Sequence, residues 1–228
     1  LFLNEFNQII FRLTFRAVYG RAENRLQKIN FDTMHNNIRK NIEAKLNQRL
    51  TAAEFGKLSG WFVPVQLENK VQFVNENQIS RNLYFVDSGA THTFIIDKKG
   101  ELHTVQFGFE GYWIGDMYSF FSGKPAIFNV ETLEPTTLFA MNYVDFEKAC
   151  KQITKFEMFF RILVQNGYLN SLQRIASTFS EDAEQRYLSL IKKQPDLLQR
   201  VPQYLVASYL GIKPQSLSRI RKKLVKKK

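Results

Sequence analysis

The chain has 228 residues, of which 44% are apolar and 14% aromatic, and its formal net charge is +11. This length fits one large domain or a larger domain with a smaller one, and the apolar content argues against a disordered chain. The single cysteine, Cys150, excludes an internal disulfide and a cysteine-ligated iron–sulfur cluster, which fits a reducing cytoplasm. Glu5, Arg12 and Arg16 interrupt the only candidate for a membrane span, so neither a membrane segment nor a secretory signal is predicted.

Residues 1–33 differ from the rest of the chain. They are aromatic and basic, they precede Met34, and their pattern matches nothing that follows. Two interpretations stay open: a leader from an upstream start, or an extra helix that packs on the body of the protein.

Short apolar runs broken by polar and glycine turns extend from about residue 67 to residue 142. Several runs alternate with period two, and Asp87-Ser88-Gly89 and the segment 97–100 are typical turn sequences. The pattern predicts an antiparallel β sandwich or barrel within a domain at residues 34–148. The predicted strands are 71–74, 83–86, 91–96, 102–107, 112–114, 128–130 and 137–141.

A helical period replaces the strand pattern near Val144, and it predicts a long helix at residues 149–179. Two apolar stripes recur at three- and four-residue spacing: Ile153, Phe156, Phe160 and Leu163, then Tyr168, Leu172, Ile175 and Phe179. Apolar residues on more than one face indicate burial on more than one side. One side would cover the β domain and the other a partner's matching helix, which predicts a two-fold dimer. The alternative is a helix buried in the core of a monomer.

The last module is predicted at residues 180–228. Ser180, followed by Glu181 and Asp182, is a helix N-terminus signal, and Pro195 would end that helix. The break between Phe179 and Ser180 is therefore predicted as the hinge between the long helix and this module.

Residues 207–221 have the pattern of a helix-turn-helix. Ala207 is the small residue where two helices touch, and Gly211 tolerates the positive φ of the turn. Pro214 suits the first turn of the second helix, because its fixed φ is helical and its missing N–H would have no partner there. Three residues of that helix form one apolar stripe: Leu217, Ile220 and Leu224.

The opposite face of the second helix is polar and basic. Residues 200–228 contain nine cations and no carboxylate, whereas the other 199 residues carry 23 cations against 21 anions. Gln215 and Arg219 can pair with adenine and guanine in the major groove of double-stranded DNA. Four further residues are predicted to hold the DNA backbone: Ser216, Ser218, Lys222 and Lys223. The alternative is a basic end that is only solvated and disordered.

A β sandwich, a long helix and a helix-turn-helix together resemble the cyclic-AMP receptor protein and fumarate–nitrate regulator (Crp/Fnr) superfamily of bacterial transcription factors. The resemblance covers residues 50–224. Residues 82–89 (NLYFVDSG) are similar to a strand and turn of cyclic-nucleotide-binding domains, and residues 111–117 (GYWIGDM) to the start of their phosphate-binding cassette. Residues 210–221 (LGIKPQSLSRIR) are similar to the DNA-reading element of members common in Bacteroidetes-type bacteria. The resemblance thus implies an α+β protein with a jelly-roll sensor domain.

The cassette departs from the nucleotide-binding members. Those members follow a Gly-Glu pair with an Arg-Ser that holds the cyclic phosphate, whereas here Asp116 replaces the Glu, and Ala126 and Ile127 occupy the Arg and Ser positions. Lys124 is a nearby cation, but it lacks the fork geometry of a guanidinium. Cyclic AMP is therefore predicted not to be the effector. The cassette would hold a different small molecule or act as a structural element without a signal, and its candidate pocket residues are Gly115, Asp116, Met117, Lys124, Ala126 and Ile127.

This sequence also lacks residues that other members of the superfamily use for sensing and for DNA contact. His35, His92 and His103 are too few and too scattered for a haem or zinc site, so they are interpreted as strand-surface histidines, and no metal or cofactor is predicted. After Leu224 the sequence continues only to residue 228, too short for the β hairpin of winged members. The phosphate contacts of that hairpin are then expected from three lysines: Lys226, Lys227 and Lys228.

The sequence therefore predicts a cytoplasmic, dimeric, sequence-specific transcription regulator that is not an enzyme. Its predicted partners are double-stranded DNA and a second copy of the chain, with an unidentified small-molecule effector and RNA polymerase as further candidates. The alternative is a ligand-sensing or protein-interaction module that binds nucleic acid without sequence preference through its basic C-terminus. The effector, the operator, the regulated genes and the choice between activation and repression stay open.

Overall fold

A computed structural model describes residues 31–225, and its centre is a pair of four-stranded antiparallel sheets. The strand order is β1-β8-β3-β6 in the first sheet and β2-β7-β4-β5 in the second. The sequence predicts a sandwich or a barrel, and this arrangement is a sandwich. The strands are β1 (Val63–Leu67), β2 (Gln72–Val74), β3 (Asn82–Ser88), β4 (Thr91–Ile96), β5 (Leu102–Gly108), β6 (Trp113–Ile114), β7 (Asn129–Thr132) and β8 (Thr136–Asn142).

Helices precede and follow the sandwich, and none of those described is long and apolar enough to cross a membrane. The predictions for residues 1–33 and 226–228 lie outside the described residues, apart from residues 31–33, which begin the first helix. The helices are α1 (Phe31–Leu46), α2 (Ala52–Ser59), α3 (Met117–Ser122), α4 (Tyr143–Gln152), α5 (Thr154–Ser180), α6 (Ala183–Lys193), α7 (Leu197–Arg200), α8 (Gln203–Tyr209) and α9 (Pro214–Val225).

Strand β3 shows how the sequence builds two cores. Four consecutive residues of this strand are buried: Leu83, Tyr84, Phe85 and Val86. Because alternate side chains of a strand point to opposite faces of its sheet, both faces must be covered here. Tyr84 and Val86 pack inside the sandwich. Leu83 and Phe85 pack against a helical layer on the outer face of the first sheet. The first sheet is thus covered on both faces.

Aromatic side chains dominate the helical layer, which α1, α2, α4 and the first turns of α5 form. Phe146 of α4 lies with its ring 4.6 Å from that of Phe160 of α5, and the rings of Trp113 and Phe159 are 5.4 Å apart. Phe156 is completely buried between them and its neighbours. This packing fixes the start of the long helix on the sandwich.

The long helix differs from its prediction at both ends. Residue 149 lies inside α4, and the long helix α5 begins only at Thr154, because buried Ile153 takes a non-helical conformation (φ −132°, ψ 89°) between the two helices. At the other end, Ser180 is the last residue of α5, so the prediction that it begins the next helix is wrong. Asp182 is the N-cap of α6, because its carboxylate accepts the Gln185 amide in a capping box.

A third core holds the C-terminal helices, α6 to α9, against the edge of the second sheet. Leu205, Ala207 and Leu217 are almost completely buried there, and Phe107 of edge strand β5 packs into the same cluster. The C-terminal helices therefore sit directly on the sandwich rather than apart from it.

Candidate functional site

The turn between α8 and α9 has the backbone that its sequence predicts. Gly211 has a φ of 68°, a left-handed conformation that favours glycine, and Ala207 is completely buried where α8 packs. Helix α9 begins at Pro214. Arg186 of α6 donates to the Leu210 carbonyl over 3.2 Å, and this bond satisfies an acceptor at the end of α8.

The six residues predicted to contact DNA all lie on α9. Leu217 is completely buried, and it turns the opposite face of the helix outward. On that face Gln215 and Arg219 are one helical turn apart and exposed, and Ser218 is partly buried. The remaining three are exposed: Ser216, Lys222 and Lys223.

Lys223 differs from its neighbour Lys222 in having an acidic partner. Its Nζ lies 2.6 Å from a carboxylate oxygen of Glu184, in the first turn of α6. This hydrogen bond raises the pKa of the Lys223 ammonium, which stays charged. Among residues 31–225, Lys222 has no ion-pair partner.

Ser208 of α8 anchors the C-terminal helices to the free edge of β5. Its Oγ donates to the Leu102 carbonyl over 2.8 Å and accepts the Thr104 amide over 2.9 Å. The ring of Tyr209 lies 5.3 Å from that of Phe107. An edge strand presents unpaired backbone groups, and here one hydroxyl satisfies two of them.

The contact between the C-terminal helices and the edge of the second sheet is called the junction. Arg174 of the long helix bonds both α8 and β5 there. Its guanidinium donates to the carbonyls of Val105, Thr104 (3.2 Å) and Tyr209 (3.4 Å), and it lies 4.3 Å from the centre of the Tyr209 ring. One side chain thus connects α5, β5 and α8.

Arg200 forms the most strongly charged contact of this junction. Its guanidinium donates to both carboxylate oxygens of Glu110, each over 2.8 Å, and to Glu134 over 2.5 Å, and it lies 5.1 Å from the centre of the Phe109 ring. These hydrogen bonds hold the pKa of Glu110 below its ordinary value. The sequence gives no local signal for these contacts, because the paired residues are 66 and 90 positions apart.

The exposed stripe of α5 has no partner among the described residues. Tyr168, Leu172, Ile175 and Phe179 are 65%, 45%, 57% and 87% exposed. The alternative prediction, a helix buried in a monomer's core, is therefore wrong for this half of α5. It holds for the first stripe, where Phe156 and Phe160 are buried.

The acidic residue of the cassette accepts hydrogen bonds from the backbone of the cassette itself. Asp116 is completely buried, and its carboxylate accepts three backbone amides, those of Ser119 (2.7 Å), Ile127 (2.8 Å) and Phe128 (2.9 Å). Gly115, with a φ of 146°, precedes it where a side chain would approach the Asn82 carbonyl. The carboxylate thus caps α3, which Met117 begins, and closes the cassette on itself.

The other candidate pocket residues of the cassette lie in different environments. Ala126 is buried in the sandwich core, whereas Lys124 and Ile127 are exposed. The same core contains the completely buried rings of Phe73 and Tyr84, whose centres are 5.0 Å apart. The structure therefore does not gather the cassette candidates around one point, and their role in binding an effector stays a prediction.

Two histidines have different surroundings. His92 is only 2% exposed, so its interpretation as a surface histidine is wrong: it stacks on Phe94 at 4.6 Å, and burial lowers its pKa. His103 is exposed and its Nε2 lies 2.9 Å from Asp97. With Glu101 this pair brings three ligand-type atoms within 4.8 Å at an exposed hairpin, but both carboxylate oxygens of Asp97 already accept hydrogen bonds.

Comparison with known proteins places this fold. Residues 65–153 match the family model of the cyclic nucleotide-binding domain. No curated protein sequence matches the chain.

Solved structures match over most of the chain at low identity. FixK2 from Bradyrhizobium japonicum is 14% identical, with a TM-score of 0.64 over 73% of this chain and 85% of its own. The c-di-GMP responsive global regulator CLP from Xanthomonas campestris is 14% identical, with a TM-score of 0.61 over 78% and 93%. A protein assigned to the Crp/Fnr family from Eubacterium rectale is 16% identical, with a TM-score of 0.59 over 78% and 85%. Residues 65–153 are therefore similar to the cyclic nucleotide-binding domain family, and the chain shares the fold of these three solved structures.

Proposed function

We propose that this protein is a dimeric, sequence-specific DNA-binding transcription regulator, in which the C-terminal helices form a helix-turn-helix domain. The exposed face of α9 carries this proposal. Buried Leu217 turns Gln215 and Arg219 outward, and a glutamine and an arginine so placed match the donors and acceptors of bases in the major groove. Lys222 lies beside them for phosphate contact. Such a regulator would act in the cytoplasm and would not be an enzyme.

A second copy of the chain is the proposed occupant of the exposed stripe on α5. The stripe runs through the last four turns of a 27-residue helix and includes Phe179, which is 87% exposed. A contiguous apolar helix face of this kind marks an interaction site. Pairing with the same face of a second copy would bury it and present two α9 helices to successive major grooves about 34 Å apart.

The proposed regulator does not respond to cyclic AMP. A cyclic phosphate bound in the cassette would need a charge-assisted donor, and Ala126 and Ile127 provide no charged side chain for one. Asp116, which stands where the nucleotide-binding members of the superfamily have the glutamate, is completely buried, and its carboxylate accepts three backbone amides of the cassette itself. Its cassette either binds a different small molecule or holds the sandwich together without a signal. RNA polymerase is the proposed partner of a DNA-bound dimer.

Selection from a random pool of double-stranded DNA tests the proposal. The full chain is incubated with the pool at about 0.15 M salt, with and without cyclic AMP, and bound sequences are read. A two-fold symmetric motif with the same yield in both arms is expected. Affinity without a shared motif would support non-specific binding instead, and a yield that depends on cyclic AMP would contradict the effector prediction.

Two matched variants on α9 separate base reading from phosphate contact. Arg219→Ala should weaken binding to the selected site by about 1 to 3 kcal/mol and relax the preference at one base pair. Lys222→Ala should weaken binding to all sequences alike and reduce the salt slope by about 1. Equal losses on selected and random DNA for Arg219→Ala would contradict its assignment to a base.

Analytical ultracentrifugation tests the dimer. Tyr168→Glu should place a charge in the apolar interface and shift the chain from dimer to monomer. Lys192→Glu, on an exposed position of α6, is the control and should stay dimeric. A monomeric wild-type chain, or a dimer insensitive to Tyr168→Glu, would contradict the proposed interface.

A further inference from the structure

Glu184 of α6 is an acidic residue that contacts α9, the helix proposed to enter the DNA groove. Its carboxylate lies 2.6 Å from Lys223 Nζ, and its side chain is 21% exposed against 57% for Lys223. Asp182, the N-cap of the same helix, adds a second negative charge near Lys223. The end of α9 thus faces acidic groups from within its own chain.

The ion pair gives Lys223 and Lys222 different electrostatic roles. A phosphate that approaches Lys222 meets an ammonium that has no acidic partner among residues 31–225. A phosphate that approaches Lys223 meets an ammonium that already donates to the Glu184 carboxylate, and that negative charge repels the phosphate. The internal carboxylate therefore weakens the attraction that Lys223 would otherwise exert on a backbone phosphate.

We propose that Glu184 is a positioning residue that withholds Lys223 from the DNA backbone and thereby sets the affinity and the salt dependence of binding. The inference rests on the proposed DNA-binding function and adds to it a residue that weakens DNA binding. Because phosphate contacts are independent of sequence, Glu184 lowers the affinity for selected and random DNA alike. Sequence preference stays with Gln215 and Arg219.

Glu184→Gln tests the inference through the salt slope. The substitution removes the charge and frees Lys223, so the slope of log K against log salt should become steeper by about 0.9. If the wild-type chain and the variant bind DNA equally at 1 M salt, this difference in slope gives the variant about fivefold higher affinity at 0.15 M salt. The gain should be the same on selected and random duplexes.

Two controls separate the ion pair from general charge. Glu181→Gln makes the same change in net charge three positions earlier, where no described cation of α9 is paired, and should leave the slope nearly unchanged. In a Lys223→Gln background, Glu184→Gln should lose most of its effect, because the cation that it frees is gone. Lys223→Gln alone should reduce the slope less than Lys222→Gln does.

The outcomes distinguish the two proposals. A wild-type chain that binds no DNA overturns both. A wild-type chain that selects a symmetric site, with Glu184→Gln equal to Glu181→Gln, overturns the role of Glu184 and leaves the regulator intact. A loss of affinity in Glu184→Gln would show that the pair supports α9 in its binding position, and it would overturn the inference as well.

Discussion

Arg200→Ala is the sharpest test of how the C-terminal helices are held on the sandwich. The guanidinium bonds Glu110 through both of its carboxylate oxygens and Glu134 through one, and it covers the Phe109 ring. Glu110 lies in the connection after β5, and Glu134 in the turn between β7 and β8. The substitution therefore cuts two links between α7 and the second sheet.

The expected cost follows from the exposure of the three side chains, which are 26%, 46% and 32% accessible for Arg200, Glu110 and Glu134. Exposed ion pairs contribute about 0 to 1 kcal/mol each, and a bidentate network falls at the upper end of that range. The contact with Phe109 adds about 0.5 to 1 kcal/mol. Two ion pairs at about 1 kcal/mol each and the ring contact together give an expected loss of about 2.5 to 3 kcal/mol in the free energy of unfolding.

Urea denaturation of the full chain measures this loss, with amide hydrogen exchange at Thr104 as a local probe of the β5 edge. Arg161→Ala is the control, because that exposed arginine bonds only Gln165 among the described residues. A change below about 0.5 kcal/mol, with unchanged exchange at Thr104, would refute the role of Arg200 in holding α7 on the second sheet.

The same pair predicts a pH dependence. Arg200 lowers the folded-state pKa of Glu110 below its ordinary value of 4.5. The stabilisation is therefore complete above pH 4.5 and is lost as the pH falls through the lowered pKa. Arg200→Ala should flatten this acid limb of the stability curve, and wild-type and variant curves of equal steepness below pH 4.5 would contradict the pairing.

The remaining predictions concern single buried groups. Leu217→Ala should lower the free energy of unfolding by about 2 to 5 kcal/mol in urea, because a completely buried leucine leaves a cavity. Asp116→Ala should cost about 3 kcal/mol in the same assay, since three amides lose their acceptor, and Asp116→Asn should cost less because it keeps one oxygen. Cys150, whose pKa burial raises to about 11, should react with iodoacetamide at pH 8 at least about tenfold more slowly than in urea-unfolded chain.

Local sequence signals predicted the strands and the α8–α9 pair well. Residues 91–96 are a strand with the predicted bounds, and the other six predicted strands lie within two residues of their observed bounds. These elements have alternation, turn glycines or a helical stripe within a few residues. Strand β1 was missed, because Pro64 argues against a strand, yet β1 is the edge of its sheet and an edge tolerates proline.

The candidate site was predicted only where one helix supplies it. Gln215 and Arg219 follow from the period of α9, since buried Leu217 fixes the opposite face. The junction that carries α9 was not predicted, because Ser208 bonds residues 104 and 106 positions away on β5. His92 was placed on the surface for the same reason: its cross-strand neighbour Phe107 packs into the core of the C-terminal helices, which local sequence does not show.

The junction and the proposed dimer use different faces of α5, and both can therefore exist at once. Residues advance by about 100° around an α-helix, so Arg174 points about 130° away from the centre of the stripe formed by Tyr168, Leu172, Ile175 and Phe179. Arg174 reaches β5 and the end of α8 on one side, while the stripe stays open on the other. In the proposed dimer the same helix would thus bind its partner and fix the α8–α9 pair of its own chain. The separation of the two α9 helices in the proposed dimer would then depend on Arg174, a residue that lies outside both the stripe and α9.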